Sequence, residues 1–123
     1  MAAYKSFEEL PVWQESRAIV ALIYSLTKGS NFAKDFGLKD QIQRAGVSIM
    51  TNIAEGFERR STKEFCQFLN YAKASSGEVR SLTVVASDLK YITDELFNSV
   101  RDKTISLSKS ISGFDRYLRQ SNR

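Results

Sequence analysis

Five cations in the middle of the chain, Arg59, Arg60, Lys63, Lys73 and Arg80, offer the clearest chemistry. Arg59, Arg60 and Lys63 cluster where one helix is expected to end and the next to begin. A helix start exposes backbone N–H groups, and N–H groups flanked by guanidinium groups suit a phosphate. The plainer alternative is a solvated turn in which Glu58 and Glu64 neutralise part of the charge. A second group, Arg44, Asn52, Glu55 and Glu78, pairs opposite charges on successive helices. It reads either as a pocket or as an internal polar network, and the network is favoured because a partly buried charge requires a partner.

Other chemistry is removed by composition. The chain has no histidine. It therefore lacks the commonest general base, the usual metal ligand and every Ser-His or Cys-His nucleophile arrangement. A di-iron helical bundle needs Glu-x-x-His pairs and is excluded on the same ground. The six glycines are too dispersed for a phosphate or dinucleotide loop. No catalytic residue, cofactor or metal is expected. The single Cys66 cannot form an internal disulfide and reads as a small packing residue. Net charge of +4 and a pI near 9.3 favour acidic partners such as nucleic acid without requiring them.

The elements that position these residues are helical. In Gln41–Lys63, apolar Ile42, Ala45, Ile49 and Ile53 step by three and four, and Gln41, Arg44, Ser48, Asn52, Glu55 and Arg59 form a polar row beside them. If the chain reverses near Arg60 and Ser61, residues whose numbers sum to about 122 face each other across an antiparallel pair. Arg44 then stands opposite Glu78, and Ser48 near Ser75.

Before this pair, residues 1–10 read as an extended arm whose Tyr4, Phe7 and Leu10 lie against a neighbouring surface. Pro11 starts the first helix, which buries Val12, Ile19, Leu22, Ile23 and Leu26 and ends at Lys28 and a left-handed Gly29. Ser30 or Asn31 caps a short turn that bends around Gly37. The second helix runs from about Lys39, or a few residues earlier, to about Phe57, and its interior Gly46 implies close approach of another helix. Ser61-Thr62-Lys63-Glu64 has capping-box spacing and opens a third helix of about thirty residues. Thr93 caps a fourth, which carries Leu96, Val100, Leu107, Ile111, Phe114 and Leu118 inward, with Arg116, Arg119 and Arg123 towards its C-terminus. These stripes give one domain over 1–123, an all-α, antiparallel up-down-up-down four-helix bundle. The apolar run about Ile19–Ile23 is far too short to span a membrane, so a cytoplasmic location is expected. Tyr4, Phe7, Trp13, Phe32 and Phe36, with some of Phe57, Phe68, Tyr71 and Tyr91, exceed what four inward stripes hold. They either thicken the core or leave apolar surface that self-association covers.

Ser48-Ile49, Asn52-Ile53-Ala54-Glu55-Gly56, Arg60 and Phe65, with Gln41 and Arg44 ahead of them, resemble the signature of the 23S ribosomal RNA intervening-sequence proteins, also known simply as four-helix bundle proteins. The resemblance runs from Phe7-Glu8-Glu9-Leu10-Pro11-Val12-Trp13-Gln14 through Phe36-Gly37-Leu38 to Asp88-Leu89-Lys90-Tyr91-Ile92. Thr51 stands where many relatives carry proline, and Ala74-Ser75 where many have Gly-Ser. The resemblance implies a homo-oligomer, a pentamer, as in the more distantly similar accessory proteins of diversity-generating retroelements. The family name records a genomic address within ribosomal RNA genes and suggests an RNA partner. Two functions follow as expectations. One is a non-catalytic bundle that binds RNA or other nucleic acid through its basic surface. The other is a protein-interaction scaffold, or an accessory subunit of a nucleic-acid-processing complex, that does not touch nucleic acid itself.

Overall fold

The structure, a computed structural model, describes residues 4–121, with the backbone alone at Ser30. Arg123 and the Ser30 side chain, both candidates above, lie outside the described parts. Among the described residues there are four long α-helices and one short one: α1 (Pro11–Leu26), α2 (Ser30–Lys34), α3 (Phe36–Phe57), α4 (Thr62–Asp88) and α5 (Asp94–Ser121). Helix α1 packs on α3 and α5, and α4 packs on α3 and α5, closing a ring of four. Cross-helix bonds fix the directions. Gln43 Nε2 donates to Thr27 Oγ1 at 3.0 Å between α3 and the end of α1, Ser48 and Ser75 join at 2.9 Å, and Ser110 donates to Glu15 at 3.3 Å. Lys73 meets Ser112 and Ser76 meets Thr104, so numbers rise along α4 as they fall along α5. Each neighbouring pair is antiparallel, as the sequence predicts for an up-down-up-down bundle.

The core forms where the apolar stripes converge. Ile19, Ile23, Ile42, Ile49, Ile53, Leu69, Val79, Leu107 and Ile111 are at most 1% exposed. Burying each such side chain is worth roughly 1.5–3 kcal/mol, which is why a spacing of three and four decides the fold. Two glycines let the helices close. A Cβ on Gly46 would stand 2.6 Å from Ile23 Cδ1, and one on Gly56 would stand 2.8 Å from Phe68 Cβ. The approach expected at Gly46 is therefore present.

Helix ends follow local chemistry, with three corrections. Pro11 occupies the first turn of α1 and Thr93 Oγ1 accepts from Leu96 N at 3.2 Å. Ser61 Oγ accepts from Glu64 N at 3.1 Å, but the Glu64 carboxylate accepts from the Ser61 hydroxyl at 3.2 Å, so the capping box closes through side chains. Gly29 is not left-handed. Its φ is −58°, because the chain enters α2 at once and Gly29 serves as the residue before its first turn. The left-handed residue is Lys90, φ 60°, beyond α4. Tyr91 N donates to Ala86 O at 2.9 Å and Lys90 N to Ser87 O at 3.0 Å, the paired bonds of a Schellman ending. The bend expected near Gly37 falls at Asp35. Its Oδ1 accepts from Leu38 N at 3.1 Å and its Oδ2 accepts from the Tyr91 hydroxyl at 3.0 Å, which pushes the Tyr91 phenol upward in pKa.

The N-terminal segment expected to be extended contains a 3-10 turn, Phe7–Glu9, and sets Leu10 in the core at 0% exposure. Tyr4 meets Phe114 edge-on at 6.3 Å and Phe7 meets Trp13 at 5.4 Å. Cys66 is buried, and its thiol points at the Asp115 carbonyl. Burial first, then the hydrogen bond and negative charge of Asp115, push its pKa up to about 11. Because the folded value is raised, the thiol favours the folded state below the unfolded thiol pKa, and that contribution fades as pH climbs towards 11. At pH 8 the native protein is expected not to react with a thiol reagent, and to react fully once unfolded in urea. Fast native labelling would contradict the burial.

Candidate nucleic-acid interface

The five sequence-selected cations fall into two groups. At the corner, α3 closes with Glu58 N on Ala54 O, and Arg59 N reaches Gly56 O at 3.1 Å. The Arg59 guanidinium then lies over the Phe68 ring, 4.5 Å from its centroid. This contact fixes the guanidinium plane while leaving its edge available. Arg59, Arg60, Ser61 and Thr62 border a shallow depression of about 350 Å³ whose apolar side is Tyr4, Phe57 and Phe65. Arg60 and Lys63 are exposed. The start of α4 is less open to an anion than its position suggests. Ser61 takes the Glu64 N–H, and the Glu64 carboxylate sits in the first turn, where it already meets the positive end of the helix.

Lys73 and Arg80 lie elsewhere. Ten residues separate Lys63 from Lys73, about 15 Å along α4, and both Lys73 and Arg80 face α5. There they join Lys109 and Arg116 along a groove of about 520 Å³ floored by Gly77 and lined further by Ser112. No carboxylate lines it. Among the described residues the ion pairs are Arg44 with Asp40, Arg101 with Asp102 and Arg119 with Asp115, so none of the four groove cations is neutralised. Lys73 Nζ donates to Ser112 Oγ at 2.9 Å, holding the ammonium across the groove. Four like charges between low-dielectric walls raise the local potential, which an anion relieves.

Sequence reading left Lys109 out and took Arg116 only as a cation near a helix C-terminus, because both stand on a helix distant in the chain from Lys73 and Arg80. A signal was present: Lys73 and Arg80 are seven apart, as are Lys109 and Arg116. Seven residues are two helical turns, so each pair shares a face.

The proposed Arg44–Glu78 pairing is absent. Arg44 Nε bonds Asp40 at 2.9 Å, one turn back on its own helix, and their side chains are 80% and 65% exposed. Glu55 and Glu78 are exposed and enter no ion pair among the described residues. The register itself holds, since Ser48 and Ser75 meet, and Asn52 Nδ2 donates to Ser48 O at 2.8 Å and Ser48 Oγ at 3.0 Å. Equal height was insufficient. Four residues turn a helix by about 400°, so Arg44 is displaced by about 40° around the axis from Ser48 and points to solvent.

The aromatic surplus is mostly absorbed. Phe32 is fully buried and Tyr4, Phe7, Trp13, Phe57 and Tyr91 pack on the core. Phe36 remains 73% exposed and Tyr71 47%, and Leu89, 50% exposed, lies at the same end of the α3–α4 pair as Phe36. No described helix is long and apolar enough to cross a membrane, and no described group of His, Cys, Asp and Glu is placed to hold a metal.

Fold and groove together define an antiparallel helical bundle with an unneutralised cationic face. The chain belongs to the 23S rRNA-intervening sequence protein family, whose sequence profile matches residues 8–113. It is similar to a protein of unknown function from the S23 ribosomal protein family of Bacteroides thetaiotaomicron, solved by crystallography at 1.70 Å. The two share 28% identity and a TM-score of 0.79, over 85% of this chain and 97% of that one. No curated protein matches significantly.

Proposed function

We propose that this protein is a non-catalytic, cytoplasmic bundle protein that binds RNA through its basic surface and works as a homo-oligomer. The observation that carries the reading is the α4–α5 groove, where Lys73, Arg80, Lys109 and Arg116 meet with no carboxylate among them. Arg59, Arg60 and Lys63 supply a second, weaker contact, because Glu64 already occupies part of that helix start. The family's name supports RNA over other polyanions. Exposed Phe36 and Leu89 support contacts between copies, five by likeness to the pentameric proteins this sequence resembles. A ring makes weak sites effective, since each contact after the first becomes intramolecular.

Binding of labelled RNA, followed by fluorescence anisotropy across a salt series, tests the assignment. Neutralising about three phosphates gives a slope of log affinity against log salt of about −3, or on the order of a fiftyfold loss between 50 and 200 mM salt. The variant Lys73→Ala, Arg80→Ala, Lys109→Ala, Arg116→Ala is expected to remove most of that slope. The same slope and affinity in the variant would overturn the groove as the site. A salt-independent capture of RNA would do so as well.

A further inference from the structure

We infer that the groove seats one sugar–phosphate strand of a double helix directly against the bare backbone of α4 at Gly77. This deepens the nucleic-acid reading above and rests on it. Glycine in a helix interior is unfavourable relative to alanine, and two of the interior glycines have a packing reason: Gly46 against Ile23 and Gly56 against Phe65 and Phe68. Gly77 has none. A Cβ built there meets nothing within 4 Å.

What Gly77 does have is its place. It lies one turn from Lys73 and one turn from Arg80, so the three share a face, and the space above it opens into the cationic groove. A missing side chain at the floor lets a ligand approach the helix backbone closely. Lys73 to Arg80, and Lys109 to Arg116, each run about 10 Å along their helices. A strand laid along that length presents about two to three phosphates, since successive phosphates on one strand stand farther apart along its path than the roughly 3.4 Å of axis each occupies.

The lining also indicates which form of nucleic acid. Binding of single strands relies on aromatic platforms for unstacked bases, and the groove contains no aromatic residue. Its groups are ammonium, guanidinium and hydroxyl, suited to phosphate oxygens and sugars. Such contacts fix position without reading sequence, and a duplex, with bases stacked inside and phosphates outside, is the form that presents them.

The test uses the full chain with a duplex RNA and one of its strands alone, at the same length and salt, together with Gly77→Ala, Gly77→Gln and Gly113→Ala. Gly113 has open space around it as Gly77 does but does not line the groove. Wild type is expected to bind the duplex at least about tenfold more tightly than the strand, given the lack of stacking surface. Gly77→Ala is expected to raise the melting temperature by about 4 °C while weakening duplex binding about fivefold, in line with lost close approach. Gly77→Gln should weaken binding further, and Gly113→Ala should raise the melting temperature with affinity unchanged. Salt-dependent binding that Gly77→Ala and Gly77→Gln leave intact, or a preference for the single strand, would overturn this inference and leave the groove assignment standing. No binding of either RNA by wild type would overturn both.

Discussion

Gly56→Ala is expected to destabilise the protein by about 2 kcal/mol, lowering the melting temperature by about 8 °C, the middle of the range for overpacking a filled site. The sign is not obvious, since alanine is the better helix former by about 1 kcal/mol. Packing decides it. The new methyl would stand 2.8 Å from Phe68 Cβ, 2.9 Å from Phe65 Cδ1 and 3.3 Å from the Phe65 carbonyl oxygen. Two of these atoms are fixed to the α4 backbone, so relief requires α3 and α4 to separate near their turn. Gly46→Ala provides the comparison. Its closest contact is Ile23 Cδ1, the free end of a flexible side chain, which can rotate away. Urea or thermal unfolding should therefore place Gly46→Ala near wild type and Gly56→Ala well below. If Gly56→Ala melts at or above wild type, the helices are not as close at this turn as described. Separation there also moves Arg59 off the Phe68 ring, so the corner should weaken as a contact while the α4–α5 groove is spared.

The elements themselves were legible because helix formation depends on neighbours three and four residues away, and the stripe Ile42, Ala45, Ile49, Ile53 states its own buried face. The antiparallel register was legible too, because a tight turn at Arg60 and Ser61 fixes axial height, and Ser48 meets Ser75 as the rise per residue requires. What failed was angle. Arg44 and Glu78 matched in height but not in azimuth, and Arg44 took the nearer partner, Asp40. Gly29 misled for a related reason: a glycine after a cation describes one helix ending, whereas its conformation is set by how soon the next one begins. The groove was half legible. Lys73 and Arg80 could be placed on one face of α4, but their neighbours Lys109 and Arg116 depend on which side of α4 receives α5, a tertiary choice made by the core. Phe36, expected among the excess aromatics, stayed outside, while Phe32, only four residues earlier, went fully inside. The bend at Asp35 separates them.

Phe65→Ala carries the largest expected loss of stability, about 3–5 kcal/mol, as for truncation of a buried aromatic ring. Phe65 is only 5% exposed and is the junction of an aromatic cluster, with ring centroids 6.1 Å from Phe57 and 5.6 Å from Phe114, both edge-on. Phe114 in turn holds Tyr4, which brings the N-terminal segment onto the bundle. Truncation should therefore loosen more than one helix: α3 through Phe57, α5 through Phe114 and the leading segment through Tyr4. The same ring is one of the atoms that would crowd a methyl at Gly56, so the two substitutions are not independent. In Gly56→Ala combined with Phe65→Ala, the vacated ring volume admits the methyl, and the pair should lose less than the sum of the single losses, by on the order of 1 kcal/mol, a coupling usual for residues in contact. The Phe65 carbonyl and Phe68 Cβ remain in place, which keeps the compensation partial. Denaturant unfolding of wild type, both single variants and the double closes the cycle, and strict additivity would mean that the ring and the glycine do not share the α3–α4 turn.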